Sequence, residues 1–390
     1  PSNLLQNNST KSAVLDGITY KDLVWKSRFT TINVFENEII NFSDASKSND
    51  SILRFANGTI ILKKMKRAYT GIVLLLLLSF TVQAQLKWVN VDADFAPLPA
   101  NVHVYKTTDS LDGKPNIAFY VEAKLKDKQL HFTTDTTYKR RFTPTQFYEK
   151  NNHPLVVVNT TFFSFATNQN LNVVIKDGKL VSYNVHTIAG RGKDTLTYRH
   201  PLGSAIGISK KRKVDVAWLY ADSSLKQAVA FETKPLLLKD SFYRLSKYDF
   251  VPQLRHLPKI EKRKGIKDKW KVQTAVGGGP VLVQDGKIKI TNNEELKFAG
   301  KAIEDKHPRT CMGYTGDGKL IIMVIQGRFP GIAEGATLKQ QAKMLVDLGC
   351  VEALNLDGGG SSCMLVNGKE TIKPSDAAGE RAVPAVFIIK

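Results

Sequence analysis

The sequence predicts an α+β fold after Ala84: a single strand-rich domain with a mixed sheet and a few helices. Two observations predict it. Apolar runs separated by Asp-Gly or Asn-Gly pairs recur along this region, and both central residues of a type I′ hairpin turn need the positive φ that such pairs tolerate. Two helix-start signals interrupt the strand pattern. The five turn pairs are Asp112-Gly113, Asp177-Gly178, Asp285-Gly286, Asp317-Gly318 and Asn367-Gly368.

The segment before this region has the pattern of a secretory signal peptide. Lys66 and Arg67 precede an apolar run from Gly71 to Leu78, and Val82-Gln83-Ala84 is a small-x-small cleavage pattern. We expect residues 65–84 to be the signal, cleaved before Gln85. The apolar run is shorter than the roughly 20 residues of a membrane-spanning helix. We therefore expect an exported protein, periplasmic or secreted, with no stable membrane span after cleavage. Residues 1–64 would be a disordered, non-native upstream segment, because a signal peptide works from the N-terminus.

The region after Ala84 is basic. Of the 56 basic and 36 acidic residues in the chain, 10 and 6 lie in residues 1–84, which leaves 46 and 30 and a net charge of +16. A net positive charge of this size favours an anionic substrate or surface. The densest basic run, residues 259–271, is interpreted as a solvated loop, because no zinc finger, RNP-like aromatic pattern or helix-turn-helix accompanies it. No nucleic-acid partner is expected.

The cysteines and histidines limit which disulfides and metal sites the chain could form. The three cysteines are an odd number, so at least one thiol is free. In an oxidising compartment Cys363 could pair with Cys350 or with Cys311, and the sequence does not choose. None of the seven histidines stands in metal-ligand spacing with another. We predict neither a metal nor a cofactor.

Both helix signals precede an apolar strand. The first helix begins near Thr143-Pro144 and runs to about Lys150, since Thr caps well and Pro fits the first helical position. The second begins with a capping box of Thr337 and Gln340 and ends at Gly349. The strands that follow, residues 155–158 and 351–356, each lead to an asparagine and a turn, which suggests two equivalent halves feeding one cleft. One face of the second helix carries Leu338, Ala342, Leu345 and Val346.

The most unusual segment is LNLDGGGSS, residues 354–362. Three consecutive glycines cost conformational entropy, which is understandable where backbone must approach a ligand closely and present N–H groups to an anion. The alternative is a flexible turn with a capping Asp. The candidate residues are Asn355, Asp357, Gly358, Gly359, Gly360, Ser361 and Ser362.

A second glycine triplet, residues 277–279, precedes Pro280 and another strand. Two triplets in one domain suit two backbone walls of one anion pocket, with Gly278 and Gly279 as candidates. The alternative is a loop that leads into a hairpin.

Two arginines flank a fully apolar run, residues 320–325, that is predicted to be a central strand. Arg309 begins the preceding strand and Arg328 follows the run. An arginine at such a strand edge can clamp phosphate in a bidentate way. For either arginine the alternative is a surface ion pair.

The C-terminal loop PSDAAGERAVP supplies Asp376, Glu380 and Arg381. Hydrolysis of a glycosidic bond commonly needs two carboxyl groups, one protonated and one ionised. Asp357 is the first candidate. Asp376 and Glu380 compete for the second role, and spacing does not separate them.

Taken in order, RTCMG, QGR, ALNLDGGGSS, PSD and GERAVP resemble the phosphodiester glycosidase family, over residues 153–390; residues 85–152 would be the N-terminal strands of the same domain. The resemblance implies hydrolysis of a sugar-1-phosphodiester to free sugar and a phosphomonoester. The family motifs carry over to Asn159, Phe162, Phe163, Gly278, Gly279, Arg309, Gly327, Arg328, Asn355, Asp357, Gly358, Gly359, Gly360, Ser361, Asp376 and Arg381. We predict catalytic roles for Asp357, Asp376 and Arg309, and substrate binding by Asn159, Gly278, Gly279, Arg328, Asn355, Gly358, Gly359, Gly360, Ser361, Ser362, Glu380 and Arg381.

Three residues depart from the family pattern. Thr160 and Thr161 stand where many relatives have Gly-Gly, and Gln326 stands where many have Asp. These substitutions are expected to affect which sugar the protein accepts. The partner is expected to be a phosphodiester-linked sugar, and the alternative function is non-catalytic binding of an anionic glycan or a teichoic-acid-like polymer at the cell envelope.

Overall fold

The computed structural model divides the chain into two units, Pro1–Ala84 and Gln85–Lys390. In the first unit it describes only an antiparallel pair, β1 (Val14–Leu15) and β2 (Ile18–Thr19). The predicted signal peptide and most of the upstream segment lie outside the described residues. In the described part of the chain, no helix is long and apolar enough to cross a membrane. The described residues of the second unit are 85–186, 188–189, 198–199, 201, 203–221, 228–231, 266–267, 270–295 and 297–390.

The first half of the second unit consists mainly of short strands. They are β3 (Val89–Asn90), β4 (Val102–Thr107), β5 (Ala118–Lys124), β6 (Phe132–Thr136), β7 (Val156–Asn159), β8 (Val174–Lys176), β9 (Lys179–Ser182), β10 (Ile188–Ala189), β11 (Tyr198–Arg199), β12 (Gly203–Ile208) and β13 (Val214–Tyr220).

The second half continues the strand pattern. Its strands are β14 (Val229–Phe231), β15 (Ile266–Lys267), β16 (Thr274–Gly278), β17 (Val281–Gln284), β18 (Lys287–Ile288), β19 (Arg309–Thr315), β20 (Lys319–Ile325), β21 (Cys350–Asn355), β22 (Met364–Val366), β23 (Lys369–Glu370) and β24 (Ala385–Ile389). The described α-helices of the unit are α1 (Pro144–Lys150), α2 (Asn292–Glu295) and α3 (Leu338–Asp347).

Three larger sheets form the domain. The eight-stranded sheet has the order β18-β17-β21-β19-β20-β5-β4-β3, the seven-stranded sheet β15-β14-β13-β12-β16-β8-β9, and the five-stranded sheet β23-β22-β7-β24-β6. The prediction of a strand-rich domain with few helices is confirmed. The expected mixed sheet is wrong for the described strands, because every strand pair among them is antiparallel. Tight hairpins join antiparallel neighbours, whereas a parallel pair needs a long crossover.

Strand β20 is central in its sheet, as its apolar sequence predicts, and its alternate residues face two different cores. Ile322 and Val324 pack into the main core, to which strands of all three larger sheets contribute. Ile321, Met323 and Ile325 pack on the other face. Since successive side chains of a strand point to opposite faces, a strand that is apolar throughout has to be covered on both sides.

Both predicted capping boxes are present, at Thr143 with Gln146 and at Thr337 with Gln340. Helix α3 covers the second face of the eight-stranded sheet through Leu338, Ala342 and Leu345. The predicted ends of α1 and α3 agree with the structure to within two residues.

Four of the five predicted turn pairs have positive φ at both residues, and Asp317-Gly318 has it only at Gly318. The three cysteines are free and buried, so neither of the two disulfides considered from the sequence is formed.

Candidate active site

The two asparagine-containing loops meet, as the sequence suggests. Asn159 ends β7 in the five-stranded sheet, and its side-chain amide donates to the backbone oxygen of Asp357 at 2.6 Å. Its Oδ1 accepts from Thr310 Oγ1 at 2.8 Å and from the Cys363 amide at 3.1 Å. The Asp357 amide donates to Thr160 O at 2.7 Å. Asn159 is fully buried, so its role in the structure is to join the two sheets below the glycine-rich loop.

Asp357 has the most strongly perturbed carboxyl group in this loop. Its residue keeps a partly exposed surface, while protein surrounds the carboxyl group closely enough that desolvation raises its pKa to about 7. The neighbouring Ser361 side chain, the charge of Arg381, the Gly358 amide and the charge of Lys297 each lower that pKa in part. An acid that is accessible and titrates near neutral pH is suited to general acid–base chemistry.

The glycines of this loop make room for two guanidinium groups. A Cβ on Gly359 would lie 2.9 Å from Nη2 of Arg328, and a Cβ on Gly360 would overlap with Nη2 of Arg381. Arg328 is exposed and has a φ of 66°, a strained value for a non-glycine residue. It makes no hydrogen bond or ion pair to any residue that the structure describes.

Asp376 is paired with Arg381. The arginine donates Nε to Oδ2 and Nη2 to Oδ1, both at 2.7 Å, in a bidentate ion pair. The same Cβ on Gly360 would overlap with Asp376 Oδ1, and Arg381 also stacks 5.4 Å from the Phe165 ring centroid. Asp376 therefore orients Arg381 against the loop, and this geometry does not favour it as the second catalytic carboxylate.

Glu380 is bound to the start of α1. Its carboxylate accepts from the Thr145 amide at 2.8 Å and from the Thr145 hydroxyl at 2.7 Å, which is the favourable place for a negative charge at a helix N-terminus. These contacts argue against the expected role in substrate binding.

Glu380 also belongs to a cluster that could hold a metal ion, with Cys363 and Glu370, whose ligand atoms lie within 4.8 Å of one another. A thiol binds metal as thiolate, and burial raises the pKa of Cys363 well above its ordinary value. The helix contacts already use both Glu380 oxygens. The cluster is therefore a poor metal site.

The guanidinium group of Arg309 donates hydrogen bonds to backbone oxygens. Its Nε donates to Ala336 O at 2.9 Å and its Nη2 donates to Asp305 O at 2.9 Å. The residue is 3% exposed, and burial lowers its pKa to about 10, which leaves it charged at neutral pH. The interpretation of Arg309 as phosphate clamp is revised accordingly, because its guanidinium fastens the loops around β19.

The second glycine triplet packs against the first loop. The Gly279 amide donates to Asn355 O at 2.7 Å, and Asn355 Nδ2 donates back to Gly279 O at 2.9 Å. The Gly277 amide donates to Val173 O at 2.7 Å. A Cβ on Gly278 would overlap with Asn355 O. These glycines allow close backbone approach, and the two amides named here are not free to bind an anion.

Two residues that sequence reasoning missed, Glu295 and Lys297, lie over Gly279. A Cβ there would overlap with Glu295 Oε2 and would be 2.6 Å from Lys297 Cε. Glu295 is fully buried and accepts from Ser204 Oγ at 2.6 Å, Thr291 Oγ1 at 2.6 Å and the Val281 amide at 2.9 Å. No motif in the sequence marks either residue. The one available signal was the glycine triplet itself, because side chains from elsewhere in the chain occupy the space that a glycine leaves open.

The floor of the loop contains polar atoms without partners. Within the described residues, three buried atoms of this loop have no hydrogen-bond partner: Asn355 Oδ1, Ser361 Oγ and Ser362 Oγ. Each of these residues is 1% exposed. Most buried polar groups in proteins are satisfied, so three exceptions beside Asp357 mark this loop as unusual.

The arrangement places one titratable carboxylate, Asp357, among three cations, Lys297, Arg328 and Arg381. A group of that charge pattern can hold an anion and exchange a proton beside it. This charge pattern suits anion binding and proton exchange at one place in the fold.

Comparisons with known proteins are consistent with such a site. Residues 253–390 match the family model described as phosphodiester glycosidase. Residues 31–83, outside the described part, match the model described as peptide-N-glycosidase F, N terminal. The resemblance to phosphodiester glycosidases is thus confirmed, over a range that begins well after His153. It supports a phosphodiester glycosidase-like, hydrolase-type function.

Individual relatives are distant and partial. The chain is 35% identical over 103 residues to N-acetylglucosamine-1-phosphodiester alpha-N-acetylglucosaminidase of Bos taurus, covering 24% of this chain and 19% of that protein. It is 41% identical over 78 residues to the SPbeta prophage-derived uncharacterized protein YomE of Bacillus subtilis (strain 168), covering 20% and 12%. A solved structure, the zebrafish N-acetylglucosamine-1-phosphodiester alpha-N-acetylglucosaminidase catalytic domain auto-inhibited by its pro-peptide, aligns with a TM-score of 0.45 at 20% identity, covering 78% of this chain and 88% of that chain. The chain spans less than a fifth of the length of the two curated relatives.

Proposed function

We propose that the protein hydrolyses a sugar-1-phosphodiester to free sugar and a phosphomonoester, outside the cytoplasm. The observation that carries the proposal is Asp357, a partly exposed residue whose carboxyl group has a pKa of about 7, in a loop with cationic side chains around it. The family resemblance supplies the substrate class. The signal-peptide pattern of residues 65–84 supports export.

In the proposed reaction, water attacks the anomeric carbon and Asp357 accepts its proton. The bond between that carbon and the phosphate oxygen breaks, and the phosphomonoester leaves with the electron pair. Phosphate is a good leaving group, so the demand for a strong general acid is small. Arg328 and Arg381 stabilise the charge that develops on the leaving oxygen, and Asp376 holds Arg381 in position for this role.

The test is product analysis. The purified protein is incubated with the methyl diester of N-acetylglucosamine 1-phosphate, and free sugar and methyl phosphate are identified by mass spectrometry. In ¹⁸O-labelled water the label is expected in the sugar, because water attacks carbon. Label in the phosphate would instead indicate attack at phosphorus and refute the mechanism.

The competing function, binding of an anionic glycan without turnover, predicts retention of the intact diester. A panel of diesters that differ in the sugar is needed for that conclusion, since Thr160 and Thr161 alter the family pattern beside Asn159. If every member stayed intact while the protein bound it, the binding function would replace the enzymatic one.

A further inference from the structure

Lys297 occupies a fixed position beside the candidate active site. It lies just after α2, in a turn that Asn292 fastens: Asn292 Oδ1 accepts from the Phe298 amide at 2.9 Å, and its Nδ2 donates to Phe298 O at 3.0 Å. The ammonium nitrogen lies 4.9 Å from the ring centroid of Phe162. The stem of the side chain fills the space that Gly279 leaves open. The side chain is thus supported on two sides.

The ammonium group has unused hydrogen-bonding capacity. It makes no hydrogen bond or ion pair to a residue in the described ranges, although the side chain is half-buried. Its neighbours act on it through charge: desolvation lowers its pKa to about 8, while Glu295 and Asp357 raise it. Lys297 is therefore mainly protonated at neutral pH. An ammonium carries three donors, and here all three remain available.

Glu295 accepts no hydrogen bond from the Lys297 ammonium group. Four donors already saturate much of its carboxylate: the hydroxyls of Ser204 and Thr291, the amide of Val281 and, at 3.4 Å, the indole of Trp218. Asp357 acts on the ammonium through its charge alone. A partly desolvated cation with free donors beside the glycine-rich loop can bind an anion that arrives with the substrate.

We propose that Lys297 binds the phosphate of the substrate together with Arg328 and Arg381, supported by Phe162 and Gly279, and that it sets the preference for anionic over neutral glycosides. The proposal rests on the proposed function. Lysine is an effective phosphate ligand as a point charge. Arg309, the clamp expected from the sequence, already donates to backbone oxygens. The anion would thus lie on the side of the loop where Lys297 is free.

The test compares Lys297→Met with a matched control, Lys106→Met. Lys106 is also half-buried and its Nζ lies 5.4 Å from a phenylalanine ring, that of Phe119, but it is on β4. The assays are kcat/KM on the methyl diester of N-acetylglucosamine 1-phosphate, kcat/KM on the neutral 4-nitrophenyl α-N-acetylglucosaminide, and the dissociation constant of inorganic phosphate from titration calorimetry.

For Lys297→Met we expect phosphate binding and kcat/KM on the diester to fall at least about tenfold, as loss of a charge-assisted hydrogen bond implies. The neutral glycoside should change much less, and Lys106→Met should leave all three values unchanged. Lys297→Arg keeps the charge and should retain part of the phosphate binding. Its melting temperature, with that of Lys297→Met, separates misfolding from loss of the ligand.

Several outcomes would overturn the proposal. Equal losses on both substrates with unchanged phosphate binding would mean that Lys297 acts only on the charge of Asp357. Equal phosphate binding by wild type and Lys297→Met would remove the phosphate-binding role. If the wild type turned over no substrate, the proposed function would fail, while the calorimetric comparison of wild type, Lys297→Met and Lys106→Met would still decide whether Lys297 binds the anion.

Discussion

Replacing Asp357 with asparagine should abolish turnover and, at neutral pH, make the protein more stable. Burial raises the pKa of this carboxyl group from 3.8 to about 7. Ionising Asp357 therefore costs additional free energy in the folded protein, but not in the unfolded chain. Three pKa units at about 1.4 kcal/mol each give about 4 kcal/mol as an upper estimate. Because Asp357 is partly exposed, solvent screening reduces this to roughly 1 to 4 kcal/mol.

The pH dependence follows from the sign of the shift. Well below pH 3.8 the carboxyl group is neutral in both states, so Asp357→Asn and wild type should have the same free energy of unfolding there. As pH rises towards 7, the unfolded chain releases the proton more readily, and the wild type loses stability relative to the variant. The difference should level off above pH 7.

The assay is urea denaturation of both proteins between pH 4.0 and 7.5, with kcat/KM on a sugar-1-phosphodiester measured in parallel. Turnover should fall at least about 100-fold, in line with the loss of a general acid–base group. A free-energy difference that did not change with pH would refute the buried-carboxylate reasoning. Near wild-type turnover would refute the assignment of Asp357 as the reacting group.

Asp135 provides a control of opposite sign. Desolvation acts to raise its pKa, but hydrogen bonds from Lys150, Asn151 and Lys176 together outweigh it and hold the pKa below its ordinary value. Ionised Asp135 therefore stabilises the folded state. Asp135→Asn should lower the free energy of unfolding at pH 7.5, and the loss should shrink as pH falls towards and below the range in which the carboxylate is protonated. The two variants should thus diverge with rising pH.

Three further predictions follow from single contacts. Gly360→Ala should reduce kcat/KM on the diester at least about tenfold, because the new Cβ displaces the Asp376–Arg381 ion pair; unchanged kinetics would show that this pair does not support catalysis. Thr337→Ala should cost about 1 kcal/mol in urea denaturation by removing the capping box of α3, and a cost near zero would contradict that role. EDTA should leave kcat/KM unchanged, since the described cluster that could hold a metal has a poor ligand set; full inhibition would implicate a metal.

The sequence predicted best the features that depend on neighbouring residues. A capping box is a contact between residues three apart, so Thr143-Gln146 and Thr337-Gln340 can be read directly. A type I′ turn needs two residues that tolerate positive φ, and Asn367-Gly368 provides them. Asp317-Gly318 shows the limit, because a pair of suitable residues does not fix which turn the chain adopts.

Residue roles in the site could not be predicted in the same way, since they depend on which side chains the fold brings together. From the sequence alone, Arg309 and Arg328 are equally plausible phosphate ligands. The structure distinguishes them: Arg309 donates to backbone carbonyls, whereas the guanidinium group of Arg328 lies against Gly359. Lys297 belongs to no motif, and only the packing of the chain over Gly279 places it near enough for its charge to act on Asp357.

The two glycine triplets illustrate this difference most clearly. The sequence predicts that the triplets expose backbone N–H groups that could bind an anion. In the structure, the amides of Gly277, Gly279 and Gly359 donate to backbone carbonyls. The missing Cβ atoms are what matters, because Lys297 and the guanidinium groups of Arg328 and Arg381 occupy the space they leave. Under the proposed function, these side-chain cations bind the anion, and the glycines are needed because any side chain at their positions would displace the cations.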